Sequence, residues 1–344
     1  MPETDPDVAS GLAGLRRVAF LLERQLAPTY RIKAFRGAAS TLADLPTEEV
    51  LKRVRHGTLT DLAGIGPKTS TVFEACARGT IPAYLAELEA EPAPDPGDGA
   101  ALLAALRGDL HTHSDWSDGG SPILEMAQTA VVELGHQYMV LTDHSPNLTV
   151  ANGLSADRLR AQLEVVAQIN AELAPFRLLT GIEVDILEDG SLDQDPDLLA
   201  QLDVVVASVH SKLRSPREQM TRRMVQAIAN PHMDVLGHCT GRMVMGGRKR
   251  PESEFDADLV FEACRRFDVA VEVNCRPERL DPPRRLLRQA LEQGCLFSID
   301  TDAHAPGQLD WQAYGCARAS ECGVPAERVI NTWDADTLLE WCAA

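Results

Sequence analysis

The sequence has no stretch approaching the roughly 20 consecutive apolar residues that a membrane-spanning helix needs, which excludes an integral helical membrane protein. Its opening, MPETDPDVAS, has neither the basic nor the apolar segment of a secretory signal, so a cytoplasmic location is expected. The eight cysteines, at 76, 239, 264, 275, 295, 316, 322 and 342, include no C-x-x-C pair and no tightly spaced framework. That excludes a disulfide scaffold and predicts reduced, mostly buried thiols. Compositional bias is missing too: 44% hydrophobic and 24% charged residues exclude a disordered chain.

What is present is a soluble chain of 344 residues, long for one domain and suited to a barrel of about 250 residues with a small module attached. The net charge of −18 argues against nucleic acid as a partner, but the charge is unevenly distributed. Between Leu12 and Thr80 there are 11 Lys+Arg against 6 Asp+Glu, which makes that segment +5 and leaves −23 for the rest. Such asymmetry fits either a division of labour or a solvated basic face on a small helical domain. Residues 11–90 read as helices, because Leu12, Leu15, Val18, Ala19 and Leu22 recur at helical spacing. The stretch EPAPDPGDG, with three prolines and two glycines, marks a linker assigned to residues 91–106.

From Gly108 onward short apolar runs alternate with longer helical stretches. GDLHTH, YMVLTDH, LLTGIEV, VVVASVH, DVLGH, VAVEVN and LFSIDTDAH are seven candidate strands. Repeated strand–helix units imply an α/β fold with a mainly parallel sheet. His144, Glu183, His210, His238, Asp302 and His304 fall at or just past the ends of successive runs, which favours a closed barrel over an open sheet with one switch point. In an extended segment residues i and i+2 face the same way, so His111 and His113 form one chelating pair and Asp302 and His304 another. Asp118 lies in a Ser-Asp-Gly turn, where Gly119 and Gly120 free the backbone to bring the carboxylate back toward the strand end.

Taken singly, each of these has an ordinary explanation: a strand-end histidine is more often a hydrogen-bonded structural residue than a ligand. Six of the nine histidines, however, stand in this series with acidic companions. Their number exceeds what one ion needs, and imidazoles with a few carboxylates suit Zn, Mn or Fe.

The ordered series HTHSDWSDG, TDHS, GIEVD, SVHS, LGHCTGR and DTDAH resembles the PHP (polymerase and histidinol phosphatase) domain over residues 107–344, with all nine positions present. The resemblance implies a distorted (β/α)7 barrel holding three divalent ions, Mn2+ or Zn2+ with Fe as an admixture. One ion is then held by His111, His113, Glu183 and Asp302, a second by Glu183, His210 and His238, and a third by Asp118, His144 and His304. The implied chemistry is phosphoester hydrolysis by a bridging hydroxide, with Glu183, His210 and Asp302 as catalytic ligands. Candidate phosphate anchors are Lys212, Arg214, Arg242, Arg276 and Arg279. His56, His136 and His232 are given no role, and Ser114 and Ser145 are set aside as nucleophiles because no base is left to serve them.

In the front segment, LTDLAGIGPKTSTV places Gly64-Ile65-Gly66 between helical segments and resembles a helix-hairpin-helix motif. Backbone amides at such a turn bind a DNA phosphate without reading bases, and Lys68 would add charge. Upstream, VAFLLERQLAPTYRIKAFRGAASTL resembles the small N-terminal domain of family X DNA polymerases, over residues 11–90. The bacterial members carry that domain first and a PHP domain last, whereas here only the linker separates the two, so polymerase activity is not expected. Relatives with lyase activity use a Schiff-base lysine where this chain has Val72, and a lyase is not expected either.

Two functions follow as expectations. One is a DNA-directed phosphoesterase, a 3′-5′ exonuclease or 3′-end phosphatase working in repair on single strands or gapped duplex. The alternative is a small-molecule phosphatase of the histidinol-phosphate type, favoured by the acidic barrel. A DNA-binding scaffold with a dead site is disfavoured because no ligand position is lost. Metal identity and oligomeric state stay open.

Overall fold

The helical spacing of Leu15, Val18, Ala19 and Leu22 becomes the fully buried face of α1 (Val8–Arg24), whose first turn is capped by the Asp7 carboxylate accepting from the amides of Ala9 and Ser10. In the computed structural model, which describes residues 6–246 and 249–344, this helix opens the first of two units, Met1–Ala93 and Pro94–Ala344. The first unit continues with α2 (Thr29–Ala43), α3 (Thr47–His56), α4 (Pro67–Ala77) and α5 (Ala83–Glu89). Gly11 and Gly14 let α1 lie against α4: a Cβ on Gly14 would come within 2.3 Å of the Cys76 sulfur. The core joins Leu15, Leu22, Phe35, Val50 and Phe73, each contributing about 1.5–3 kcal/mol by its burial. Glu23, buried among them, is matched by a bidentate bond from Arg36 at 2.7 Å.

In the second unit the seven apolar runs form β1 (Gly108–Thr112), β2 (Tyr138–Leu141), β3 (Arg177–Asp185), β4 (Val204–Ser208), β5 (Val235–Leu236), β6 (Ala270–Asn274) and β7 (Phe297–Asp300). All neighbours are parallel, and the spatial order is the chain order. Parallel neighbours require crossovers. The intervening stretches supply α7 (Ile123–Val132), α8 (Ala156–Leu173), α9 (Pro196–Leu199), α10 (Arg217–Ile228), α11 (Ala257–Arg266) and α12 (Arg284–Glu292), after α6 (Ala100–Ala105) and before α13 (Gln312–Glu321) and α14 (Ala335–Cys342). Residues 97–105, within the expected linker, are structured: Leu102 is buried, and Gly99 lies so close to α13 that a Cβ would meet the Cys316 carbonyl oxygen at 2.4 Å.

Alternation sorts the strand residues into two layers. Met139 and Leu141 pack with Met126 and Ala130 of α7, whereas Tyr138 and Val140 pack with Leu110, Leu179, Val206 and Ala270 from the other strands and with Leu338 of α14. The second set fills the barrel, and α14 covers its end. On β6, Val271 and Val273 join the outer cluster, so Glu272 and Asn274 continue the inward face above Ala270.

The barrel closes between β1 and β7 without a full backbone ladder. One bridge, Thr112 to Ala303, marks the join, and the His113 amide donates to the Ala303 carbonyl at 2.8 Å. Carboxylates complete it, with the Leu110 amide donating to Asp300 at 2.9 Å and the Thr301 amide to Asp109 at 3.2 Å. Below them the Asn331 side chain spans the seam, donating to the carbonyls of Gly108 and Ile299 and accepting from the Ile299 amide at 2.7 Å. Replacing Asn331 by Leu strands these buried groups and lowers unfolding free energy by about 2–4 kcal/mol, checked by urea denaturation of the purified chain.

Asp234, just before β5, accepts from the Val205 amide at 2.7 Å, and burial raises its pKa to about 7. Because the folded value lies above the unfolded one, stability is lost as pH rises from about 4 to about 7 and is flat above. The variant D234N, which keeps an oxygen for Val205, is more stable than the parent at pH 8 by about 1–2 kcal/mol and loses most of that margin at pH 4, as read from denaturation at the two pH values.

Candidate metal centre

Every strand except β6 carries one of the nine expected residues to the same end of the barrel. His111 lies on β1 and His113 just past it, both fully buried; Glu183 lies on β3; His144, His210 and His238 follow β2, β4 and β5. Asp302 and His304 follow β7, but not as an extended pair. Asp302 has φ 53°, a left-handed conformation that disfavours a residue with a Cβ, and this turn brings its Oδ1 to 3.5 Å from His304 Nδ1. Asp118, more exposed at the mouth, reaches His304 Nε2 at 3.2 Å and His144 Nε2 at 3.5 Å. Its glycines act differently from the expectation: neither has positive φ, and Gly119 is required because a Cβ would sit 2.6 Å from the Ser114 backbone. Gly120 donates to the His304 carbonyl at 2.6 Å, which ties the Asp118 turn to the far side of the seam.

Glu183 is the meeting point. Its Oε1 lies 2.9 Å from His238 Nε2 and 3.3 Å from His210 Nε2, and its Oε2 lies 2.8 Å from His144 Nδ1, 3.3 Å from His111 Nε2 and 3.6 Å from His113 Nε2. Several of these atoms are close without being hydrogen-bonded: His111 Nε2, both nitrogens of His113, His144 Nδ1, His210 Nε2 and Glu183 Oε2 are buried with no aligned partner. Donor atoms that converge without bonding one another are arranged as ligands are, around points between them. Three such groups form: His113, Asp118, His144 and His304; His111, His113 and Glu183; and His144, Glu183 and His210. They overlap the sets that the resemblance implies and differ from them in four places: His113 also joins Asp118, His144 and His304, His144 also faces Glu183 and His210, Asp302 falls in none of the three, and His238 is hydrogen-bonded to Glu183.

The electrostatics fit cation binding. Burial opposes charge on His111, yet Glu183 and Glu272 raise its pKa well above the usual range; burial likewise opposes charge on His210, and Glu183 and Asp185 hold it at about 9. Burial, with the neighbouring His304 and His144, drives His113 well below the usual value, and burial with Arg279 brings His238 to about 3. Burial alone would raise Glu183, but the surrounding imidazoles hold it well below the carboxylate range. Protonated and neutral imidazoles thus share one carboxylate, and divalent cations supply the same positive charge while satisfying the unpartnered nitrogens.

The expected phosphate anchors divide. Arg276 reaches Asp302 Oδ1 at 3.3 Å and His304 Nδ1 at 3.0 Å, and Arg279 reaches Asp302 Oδ2 at 3.1 Å, so both guanidinium groups border the centre. Arg242 is turned away: it donates to the carbonyls of Arg279 and Leu280 and pairs with Glu252 at 3.4 Å, which makes it a brace for the loop bearing Arg279. Lys212 and Arg214 are exposed beyond His210. Ser114 donates to Asp143 and Ser145 accepts from the Asp185 amide.

Four buried polar residues escaped the sequence reading. Asp143 holds Ser114, Ser117 and Gln162 and thereby the loop leading to Asp118. Asp185 accepts from His210 Nδ1, Glu272 from His111 Nδ1, and Asn274 donates to Asp302. The signal was available, since each is a polar residue in or beside an apolar run and three of them, Asp185, Glu272 and Asn274, lie two places from another inward residue.

The hairpin residues lie in the first unit. Gly64 has φ 85°, Gly66 precedes α4 with its amide donating to Thr69 Oγ1 at 3.0 Å, and the Lys68 ammonium rests 3.8 Å over the Tyr84 ring. With Tyr30, Arg31 and Phe35 they line a cavity of about 370 Å³.

The PHP domain family model matches residues 109–276. A protein named DNA polymerase/3'-5' exonuclease PolX from Bacillus subtilis (strain 168) is 44% identical over 229 residues, covering 67% of this chain and 40% of that protein. The match therefore spans about two fifths of that relative. A protein named probable phosphatase from Caldanaerobacter subterraneus subsp. tengcongensis is 27% identical over 237 residues, 65% of this chain and 86% of that one. A crystal structure of histidinol phosphate phosphatase from Lactococcus lactis subsp. lactis, with zinc, L-histidinol and phosphate, superposes with a TM-score of 0.46 at 18% identity over 64% of this chain and 94% of that one. The chain carries a PHP domain: the family match over residues 109–276 takes in five of the six strand ends that bring candidate ligands together, those of β1 to β5.

Proposed function

We propose that the chain is a metal-dependent phosphoester hydrolase acting on DNA, as a 3′-5′ exonuclease or 3′-end phosphatase, with the first unit holding the backbone of a single strand or gapped duplex. The observation that carries the hydrolase is the convergence of unpartnered imidazole and carboxylate atoms around Glu183, with two arginines beside them. His111, His113, Glu183 and Asp302 would hold one divalent ion, Glu183, His210 and His238 a second, and Asp118, His144 and His304 a third. When bound, such ions activate water near neutral pH and neutralise charge on a phosphoryl group. The protein's own part is positional. Full burial of His111 and His113 keeps bulk water from one side, and Arg276 and Arg279, which contact Asp302, would pair with phosphate oxygens there. No histidine of the cluster is left over as a separate general base.

The DNA assignment is supported by the named activity of the 44% relative and by the cationic cavity at the Gly64–Lys68 turn. A small phosphate ester is the second reading, favoured by the −23 charge outside the basic segment and by the relative named probable phosphatase, which is covered over 86% of its length.

Glu183→Ala removes a ligand shared by two ions. It is expected to lower bound metal from about three ions per chain, by elemental analysis, and to cut phosphoester hydrolysis by about 10³-fold or more; a fully active variant would refute the assignment. Removal of residues 1–93 separates the two functional readings. On the DNA reading it lowers cleavage of gapped duplex at least tenfold while leaving p-nitrophenyl phosphate hydrolysis within about twofold, and DNA binding by the whole chain weakens steeply with salt. Equal activity on both substrates with and without the first unit would favour the small ester.

A further inference from the structure

Of the seven strands, β6 alone brings no ligand to the centre, yet its inward residues are a buried acid and a buried amide, Glu272 and Asn274. Burying a carboxylate costs several kcal/mol unless it is matched, so its partners indicate what it does. Glu272 Oε1 lies 2.6 Å from His111 Nδ1, the ring edge opposite the nitrogen that faces Glu183. Its Oε2 accepts from the backbone amide of His238 and from Asn274 Nδ2 at 3.2 Å. Asn274 Nδ2 also donates to Asp302 Oδ2 at 3.2 Å, and its Oδ1 accepts from the Arg276 amide at 3.2 Å. One strand thus touches a ligand side chain from β1, the backbone of a ligand after β5, and a ligand after β7.

We propose that Glu272 and Asn274 are positioning residues that orient His111, His238 and Asp302 for metal binding. This rests on the metal-binding reading of those three. The physical argument concerns orientation: the contact with Glu272 holds the ring by Nδ1 and so presents the opposite edge, Nε2, to Glu183 and the centre. A free imidazole would rotate. Glu272 is not itself a ligand, because one oxygen lies behind the His111 ring and the other is occupied by His238 and Asn274. Asp185 repeats the arrangement independently, accepting from His210 Nδ1 while His210 Nε2 faces Glu183. Asn274 completes the set by fixing one Asp302 oxygen and the backbone of Arg276.

The test is titration of chelator-stripped, full-length protein with Mn2+ and with Zn2+ by calorimetry, with urea unfolding of the same metal-free samples alongside. Glu272→Ala is expected to weaken at least one ion by about 10- to 100-fold in samples that urea unfolding shows to be folded without metal, although the buried donors it strands lower the unfolding midpoint. Glu272→Gln, whose single amide oxygen serves His111 but not the His238 amide as well, falls between the two. Asn274→Ala shifts affinity in the same direction. Where the alanine variant does not fold, the glutamine variant against the parent gives the reading, a loss of about tenfold being expected. Parent-like affinity and ion count in both Glu272 variants would overturn the positioning role alone, as would an affinity loss confined to samples that are unfolded without metal. A parent chain that takes up neither metal would instead overturn the metal centre on which the role rests.

Discussion

A single buried carboxylate with five imidazoles around it sets the terms for the rest of the barrel. Glu183 has positively charged or chargeable nitrogen within 3.6 Å on all of its accessible sides, and it is 1% exposed. Such a concentration of titratable groups inside a protein is tolerated only if every charge is balanced and every lone pair directed. The fold meets that demand by bringing the imidazoles from β1, β2, β4 and β5 around a carboxylate on β3. The chain-order barrel places six strand ends in a ring, and the residues around Glu183 need only short side chains to converge on it.

Beneath the ring lies a second tier of buried acids, Asp109, Asp300 and Glu272, which distinguishes this interior from an ordinary hydrocarbon-filled barrel. Asp109 and Asp300 close the seam where backbone pairing gives out, and Glu272 reaches the histidines above. Burial raises the pKa of all three, with Asp300 adding to the effect on Asp109 and Glu272. The lowest tier is apolar and is covered by Leu338 and Ile330. Polarity therefore rises along the barrel axis, from a sealed hydrocarbon floor to an open mouth where Asp118 meets solvent.

The seven strands were legible because their apolar runs are short, regularly spaced and separated by helical lengths. The nine candidate ligands were legible because strand-end polar residues in a parallel barrel have one place to go. The means of convergence was less legible. His111 and His113 follow strand alternation, but Asp302 and His304 meet through a left-handed turn, and Gly119 matters for its closeness to Ser114 rather than for conformational freedom. Residues 97–105 looked like linker because glycine and proline dominate the stretch before them, whereas Leu102 and the bare surface of Gly99 dock on α13. Arg242 could not be told from Arg276 and Arg279 by residue type. Only the carbonyls around its guanidinium show that it braces a loop.

The seam has a consequence for the order of events in folding. Its bonds join residues about 190 positions apart, Leu110 to Asp300 and Thr301 to Asp109, so the first strand waits for the last. Contacts of such sequence separation form late, after the cost of closing a long loop has been met. His111 and His113 stand on one side of that join and Asp302 and His304 on the other. Until β7 docks, therefore, the candidate ligands stand as an incomplete, strongly polar half-cup, and the set is completed by the same contact that turns a curved sheet into a barrel.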